Sequence, residues 1–119
     1  MLIAASDTVS AALNTALDGL SLRQKVVADN VANIDTPGFV AATVDFEASL
    51  RSALADGTVT ASGVTPFTGV SNTPMGPNGN NVDLRTETMT AMQSVFQYQL
   101  LTRAVGDRYS LVTTSIGRM

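Results

Sequence analysis

The sequence predicts a mainly α-helical protein in which two long helices, one at each end, pair as an antiparallel, coiled-coil-like hairpin. Three observations predict this fold. Apolar side chains recur at alternating spacings of three and four residues near the N-terminus, and again over four heptads near the C-terminus. Between them, residues 57–81 contain five glycines and three prolines, a density that excludes a long helix. We therefore expect a short helix and an irregular, loop-rich segment in the middle.

The N-terminal helix is expected to begin near Ser6 or Asp7, since either side chain can cap free backbone N–H groups. We expect it to extend to Ala32. Gly19 lies inside this helix, and we interpret it as a tolerated weak point rather than as a site of close backbone approach by a neighbouring helix. One side of the helix carries a narrow seam that is interrupted by the polar Gln24. The apolar members of this seam are Leu13, Leu17, Leu20, Val27 and Val31.

A fixed chain reversal is predicted where the first helix ends. The helical pattern stops at Asn33, a residue type that tolerates the left-handed conformation found at helix C-termini. Thr36, Pro37, Gly38 and Phe39 follow, with proline at the second position of the turn and glycine at the third. These positions are typical of a type II turn.

The middle of the chain is predicted to hold an extended segment and then a short helix. Residues 39–44 suit an extended segment, and Asp45 suits the cap of a helix of two to three turns. Asp45 and Glu47 form a close carboxylate pair, which we interpret as a cap and a first-turn acid rather than as a general acid–base pair. Residues 57–81 are expected to be flexible or irregular, with some strand at Val59–Val64.

The last helix is expected to begin beyond Asn81, with Asp83 as its cap, and to continue almost to the C-terminus. Its predicted seam comprises Leu84, Thr88, Ala91, Val95, Tyr98, Thr102, Val105, Tyr109, Val112 and Ile116. In the predicted hairpin, this seam faces the seam of the first helix. We therefore divide the chain into residues 1–39, 40–81 and 82–119, of which the first and last form one helical domain.

Composition excludes several classes of function. The chain of 119 residues has a net charge of −3, no histidine, no cysteine and one lysine. Nucleic-acid binding requires clustered basic residues, and a catalytic site requires a nucleophile, a base and an orienting group, so we expect neither of them. We also expect no metal, no cofactor and no small-molecule substrate. Residues 76–80 lack the Gly-Lys-Ser/Thr ending of a phosphate-binding loop.

Membrane insertion is not expected either. The sequence has no run of about 18 apolar residues of the kind that spans a membrane. The first residues lack the positive region of a cleavable secretory signal. Interfacial helices are typically rich in basic residues, whereas the first helix has only Arg23 and Lys25 against three aspartates.

Two interpretations of the seams remain open on the residues alone. In one, the outer faces of the hairpin pack on copies of the same hairpin, so that the protein is a building block of a tubular assembly. In the other, the hairpin closes on the middle segment and forms a small soluble helical adaptor or scaffold.

Several stretches resemble one family of assembling proteins. Residues 30–33 and 36–39, which read NVAN and TPGF, resemble the N-terminal motif shared by rod and hook proteins of the bacterial flagellum. Residues 20–24, 44–47 and 80–84 are similar to the B-type proximal rod proteins. The residues that match the motif are Asn30, Ala32, Asn33, Thr36, Pro37, Gly38 and Phe39. Val40 departs from the family, which often has a basic residue at that place.

The resemblance implies a structural subunit of the proximal rod, the lowest part of the drive shaft of the flagellar basal body. The implied partners are other rod subunits, the ring-to-rod adaptor and the export gate. It also implies a periplasmic location that is reached through the flagellum's own export apparatus, without a cleaved signal peptide. The motif then has a structural role, in which the turn and the asparagines fix the angle between the helix and the next segment. We expect the isolated subunit to be largely unfolded or mobile at both ends.

Overall fold

The protein is mainly helical, as the sequence predicts. The computed structural model describes residues 2–57 and 67–117. Within these residues the elements are, in chain order, α1 (Leu2–Ala32), β1 (Ala42–Asp45), α2 (Phe46–Asp56), β2 (Phe67–Val70) and α3 (Leu84–Gly117).

The first helix begins earlier than predicted. Because α1 starts at Leu2, Ser6 and Asp7 lie inside it, and the prediction that one of them is the cap is wrong. Residues 2–5 are leucine, isoleucine and two alanines, which suit a helix and contain nothing that would end one. A capping residue type therefore marks a helix start only where the preceding chain leaves the helix.

The end of α1 at Ala32 agrees with the prediction. Among the described residues, positive φ angles occur only at glycines, so Asn33 does not adopt the left-handed conformation that its residue type tolerates. The Asn33 N–H instead donates to the carbonyls of Asp29 (3.2 Å) and Asn30 (3.1 Å). The last turn thus tightens, and its backbone carbonyls accept hydrogen bonds without a left-handed residue.

The two long helices contact each other near both of their ends. At one end, Asn30 near the end of α1 contacts Glu87 in the first turn of α3, with Nδ2 and Oε1 3.1 Å apart. At the other end, Arg108 Nε of α3 lies 3.4 Å from Ser10 Oγ of α1. The molecule is accordingly elongated, with extents of 66 × 27 × 16 Å. No helix in the described ranges is both long and apolar enough to cross a membrane.

The middle segment forms a two-stranded antiparallel sheet that the sequence predicts only in part. The strand β1 falls in the predicted extended segment, and it pairs with β2 from Ala42 opposite Val70 to Asp45 opposite Phe67. The strand β2 was not predicted. The predicted strand at Val59–Val64 lies outside the described residues.

The short helix α2 has the predicted cap. Asp45 Oδ1 accepts a hydrogen bond from the Ala48 N–H at 3.1 Å. Gly57 ends the helix in the left-handed conformation, with φ of 68°, and its N–H donates to the carbonyls of the last turn. Glu47 lies in the first turn, as expected.

The core lies where α2 meets the middle of α1 and α3. Phe46, Leu20 and Ala16 are buried together, and Leu50 and Leu101 pack against them. Gly19 adjoins this cluster, and a Cβ added there would overlap the Phe46 ring. Our interpretation of Gly19 as a tolerated weak point is therefore wrong. The close approach at Gly19 comes from the side chain of Phe46 and not, as the alternative supposed, from the backbone of a neighbouring helix.

Candidate functional site

The turn after α1 has the predicted geometry. The Phe39 N–H donates to the Thr36 carbonyl at 3.2 Å, and Gly38 has φ of 74°. A type II turn requires positive φ at its third residue, and glycine adopts it without steric cost. Pro37 and Gly38 are exposed, and a Cβ at Gly38 would meet no atom within 4 Å. A substitution of Gly38 would therefore act through the backbone conformation and not through packing.

Asn30 connects three parts of the chain. Its Oδ1 accepts from the Ala42 N–H (3.0 Å), and its Nδ2 donates to the Ala42 carbonyl (2.9 Å) and to Glu87 Oε1 (3.1 Å). The side chain is 1% exposed and satisfies both backbone groups of Ala42 on the β1 edge that faces α1. Asn30 thus fixes β1 against both long helices, and a buried amide left without these partners would cost about 1 to 3 kcal/mol.

Asn33 and Thr36 support the helix end locally. Asn33 Nδ2 donates to the Asp29 carbonyl at 2.8 Å, and Thr36 Oγ1 donates to Asn33 Oδ1 at 3.1 Å. The other motif residues have fewer roles within one chain, since Ala32 is exposed and Phe39 is half-buried.

Asn80 approaches the same turn from the other side. Its Nδ2 donates to the carbonyls of Asn33 and Thr36, both at 2.8 Å, and its Oδ1 accepts from the Val82 N–H at 2.8 Å. The residue is 7% exposed. It therefore holds the last carbonyls of the α1 terminus next to the chain that enters α3.

Asn81 binds the chain on either side of the sheet. Its Oδ1 accepts from the Ala41 N–H at 2.6 Å, and its Nδ2 donates to the carbonyls of Ser71 (3.3 Å) and Thr73 (3.2 Å). Its own N–H donates to the Phe39 carbonyl at 3.3 Å. Sequence reasoning missed the roles of both asparagines, although they stand in the stretch at residues 80–84 that resembles the family.

We call residues 30–42 together with residues 76–81 the turn junction. Its two loops meet at glycines, because the Gly38 N–H donates to the Asn78 carbonyl at 2.9 Å and a Cβ at Gly79 would lie 3.4 Å from Gly38 Cα. Gly79 also has positive φ, at 74°. The turn junction is therefore a hydrogen-bonded joint between the end of α1 and the start of α3.

Glu87 is a buried acid beside the turn junction. Burial raises the pKa of its carboxyl, the nearby charge of Asp83 raises it further, and the hydrogen bond from Asn30 opposes the shift. A buried carboxylate is costly unless it is paired. Glu87 therefore connects α3 to α1 through Asn30, and protonation would remove the electrostatic cost of burying its charged carboxylate.

Arg23 fixes α1 against the start of α2. Its guanidinium donates to both carboxylate oxygens of Glu47 at 2.7 Å and to the Val44 carbonyl at 2.7 Å. It also lies 4.8 Å from the centroid of the Phe46 ring. The hydrogen bonds from Arg23 lower the pKa of Glu47. The two stretches at residues 20–24 and 44–47, both similar to the family, thus meet in space.

The outer side of α3 carries an exposed apolar surface, which we call the α3 stripe. Its members, with their exposed fractions, are Met89 (55%), Met92 (68%), Val95 (46%), Phe96 (62%) and Leu100 (52%). The surrounding residues 88–102 contain no charged side chain. Exposed apolar surfaces of this kind are typical of sites that contact another protein or a membrane, or that bind a ligand.

The side of α3 that faces α1 differs from the predicted seam. Among the described side chains of α3, those that are buried belong to Glu87 and Ser94, and seven residues further on Leu101 packs on the core. Val95, Tyr98 and Ile116 of the predicted seam are exposed, at 46%, 39% and 67%. Both sides of α3 carry apolar residues, so the periodicity could not distinguish the inner side from the outer one.

The remaining seam residues differ in how far they are exposed. On α1, Leu20 and Val27 are buried, Leu13 and Leu17 are half-buried, and Val31 is 37% exposed. On α3, Val105 is half-buried, and the side chains of Tyr109 and Val112 lie outside the described residues. As a surface for assembly, both seams stay a prediction.

Comparison with known proteins gives consistent results. Residues 12–39 match the family model described as flagella basal body rod protein. The chain is 35% identical over 106 residues to the flagellar basal body rod protein FlgB of Borreliella burgdorferi, covering 72% of this chain and 78% of that protein. It is 31% identical to FlgB of Bacillus subtilis, with 86% and 88% covered, and 30% identical to FlgB of Salmonella typhimurium, with 86% and 90% covered.

Proposed function

The chain belongs to the FlgB family of flagellar basal body rod proteins, and we propose that it acts as a structural subunit of the proximal rod by self-assembly. The family consists of structural proteins, so the chain is not an enzyme. Membership also favours the assembling building block over a soluble adaptor.

The observation that carries this proposal is the α3 stripe. Fully burying one exposed large apolar side chain contributes about 1.5 to 3 kcal/mol, and because the five side chains of the stripe are each about half exposed, their remaining burial represents roughly 4 to 8 kcal/mol before the costs of association. A single chain leaves this contribution unused. Packing of the stripe against neighbouring subunits would recover it, and the absence of charge in residues 88–102 avoids the desolvation of ionic groups.

The predicted seams are assigned to the same assembly. We place the exposed Val95, Tyr98 and Ile116 against neighbouring subunits and the buried Leu20 and Val27 inside the hairpin, where α1 and α3 pair in a coiled-coil-like manner. Residues 1–39 and 82–119 then act as one helical unit. The turn junction sets the angle at which residues 40–81 leave that unit.

The partners follow from the position of a rod subunit in the basal body. Rod components contact one another, and for this subunit the neighbours include the ring-to-rod adaptor and the export gate. The chain reaches the periplasmic rod through the flagellar export apparatus, without cleavage of a signal peptide.

A charge placed on the α3 stripe tests the proposal. Phe96 is exposed in the single chain, so Phe96→Asp leaves the hairpin intact but would bury an unpaired charge in the assembly, at a cost of several kcal/mol. We expect the variant to be exported normally and to be absent from purified basal bodies, with loss of motility.

A matched control places the same charge elsewhere. Ser52 is exposed on α2, away from the stripe, and Ser52→Asp is expected to be incorporated at the wild-type level. Circular dichroism of both variants checks that helicity is unchanged. Wild-type amounts of Phe96→Asp in basal bodies would refute the proposed surface.

A further inference from the structure

Asn78 differs from the other asparagines of the chain because the residue that follows it is a glycine, Gly79. Asparagine is thermolabile through attack of the next backbone nitrogen on its side-chain amide. A following side chain obstructs this attack, and glycine has none. We propose that Asn78 is a deamidation site whose rate is controlled by folding of the turn junction.

The reaction needs only water as a co-reactant. The Gly79 backbone nitrogen loses its proton and forms a bond to Cγ of Asn78, the Cγ–Nδ2 bond breaks, and the side-chain nitrogen leaves as ammonia. Water then opens the resulting succinimide at one of its two carbonyls. Opening at the backbone carbonyl gives isoaspartate, in which the main chain is longer by one methylene, and opening at the other gives aspartate.

The folded loop holds both reacting groups in other contacts. The Gly79 N–H donates to the Gly76 carbonyl at 3.0 Å, so the attacking nitrogen is engaged and keeps its proton. The Asn78 Oδ1 accepts from the Asn80 N–H at 3.2 Å, which directs the amide toward Asn80. A bond from the Gly76 N–H to the Asn80 carbonyl, at 2.9 Å, closes the loop. Reaction therefore requires the loop to open.

The product would damage the turn junction. The Asn78 carbonyl accepts from the Gly38 N–H at 2.9 Å, and the two glycines Gly38 and Gly79 pack closely. An additional methylene in the main chain at residue 78 would move this carbonyl away from its donor. Chains that react while unfolded would thus refold with a weakened turn junction. The deamidated fraction at residue 78 would therefore increase with the time that chains have spent unfolded.

The test compares the full-length chain in mildly alkaline buffer with and without urea. Peptide mapping by mass spectrometry measures deamidation of Asn78 and of Asn72, an exposed asparagine that is followed by the β-branched Thr73. Hydrogen exchange of the Gly79 amide in the native buffer measures opening of the loop. In urea, we expect Asn78 to react at least about tenfold faster than Asn72. The rate of Asn78 deamidation should be lower in native buffer than in urea by a factor equal to the protection factor of the Gly79 amide.

Two further results decide the proposal. In urea, Gly79→Ala should reduce reaction of Asn78 to the rate of Asn72, because the added Cβ obstructs the attack without any folded structure to disturb. The proposal is overturned if Asn78 and Asn72 react equally fast in urea, if the Gly79 amide is unprotected in native buffer, or if a protected amide fails to slow the reaction.

Discussion

Gly19→Ala separates helix propensity from packing at the centre of the hairpin. Alanine in place of a mid-helix glycine stabilises a helix by about 1 kcal/mol. At this position the new Cβ would overlap Cβ, Cγ and Cδ1 of Phe46, the part of that side chain that can move least. Overpacking costs about 1 to 3 kcal/mol, and Arg23 stacked on the ring restricts it further. Because the overlap is severe, we place the overpacking cost at the upper end of this range, about 3 kcal/mol, and after the gain in helix propensity we expect a net loss of about 2 kcal/mol, or roughly a 30-fold increase in local opening.

Native-state amide exchange of α1 near Leu20 measures this change, and Gly106→Ala is the matched control. Gly106 lies in α3, and a Cβ there would meet no atom within 4 Å, so this variant adds no overlap and should leave protection near Leu20 at or slightly above the wild-type level. On a Phe46→Ala background, Gly19→Ala should become stabilising, because the ring is gone. Protection in the single Gly19→Ala variant equal to or above that of the wild type would refute the packing argument.

Three other predictions concern the turn junction and the helix ends. Gly38→Val should cost about 1 to 3 kcal/mol in backbone strain and reduce rod incorporation more than export, as immunoblots of secreted and assembled protein would show; normal motility would contradict it. Burial raises the pKa of Glu87 above its ordinary value of 4.5, so the folded chain binds the carboxyl proton more tightly than the unfolded chain does. The free energy of unfolding therefore decreases as the pH rises from the unfolded pKa through the folded pKa. Glu87→Gln should therefore be more stable than the wild type at neutral pH and lose that advantage in acid, and urea titrations with a pH-independent difference would count against this. In the dilute isolated subunit, amide protection should be confined to the turn junction and the Phe46 contacts, whereas residues 103–117 should exchange freely; protection along all of α3 would show that the hairpin folds alone.

Local chemistry made parts of this fold predictable from sequence. The Thr36–Phe39 turn and the Asp45 cap depend on the conformations and hydrogen bonds of a few adjacent residues, and both form as predicted. The start of α1 was misplaced because Asp7 can serve as a cap but does not compel one. The environment of Gly19 depends on Phe46, which is distant in sequence, so helix propensity alone gave the wrong interpretation.

The inner side of α3 was harder to predict for a physical reason. Its buried positions include Glu87 and Ser94, polar residues that a search for apolar periodicity passes over. The predicted seam instead followed a line between the inner and outer sides, and it shares Val95 with the exposed outer side but includes neither Met92 nor Phe96. When a subunit packs one side of a helix internally and keeps apolar residues exposed on another side, the helix sequence contains two overlapping apolar patterns. The Asn80 and Asn81 contacts were missed because a hydrogen-bonded loop has no periodicity.

The central claim is that neighbouring subunits cover the α3 stripe, and its methionines report on this directly. Exposed methionine oxidises to the sulfoxide, and burial prevents the reaction. Brief peroxide treatment of the dilute subunit and of purified basal bodies, followed by peptide mass spectrometry, compares Met89 and Met92, with Met75 of the middle segment as a reference outside the stripe that is 54% exposed. We predict that Met89 and Met92 oxidise as fast as Met75 in the isolated subunit and become protected in the basal body. Oxidation of Met92 at the same rate in both samples would contradict the account.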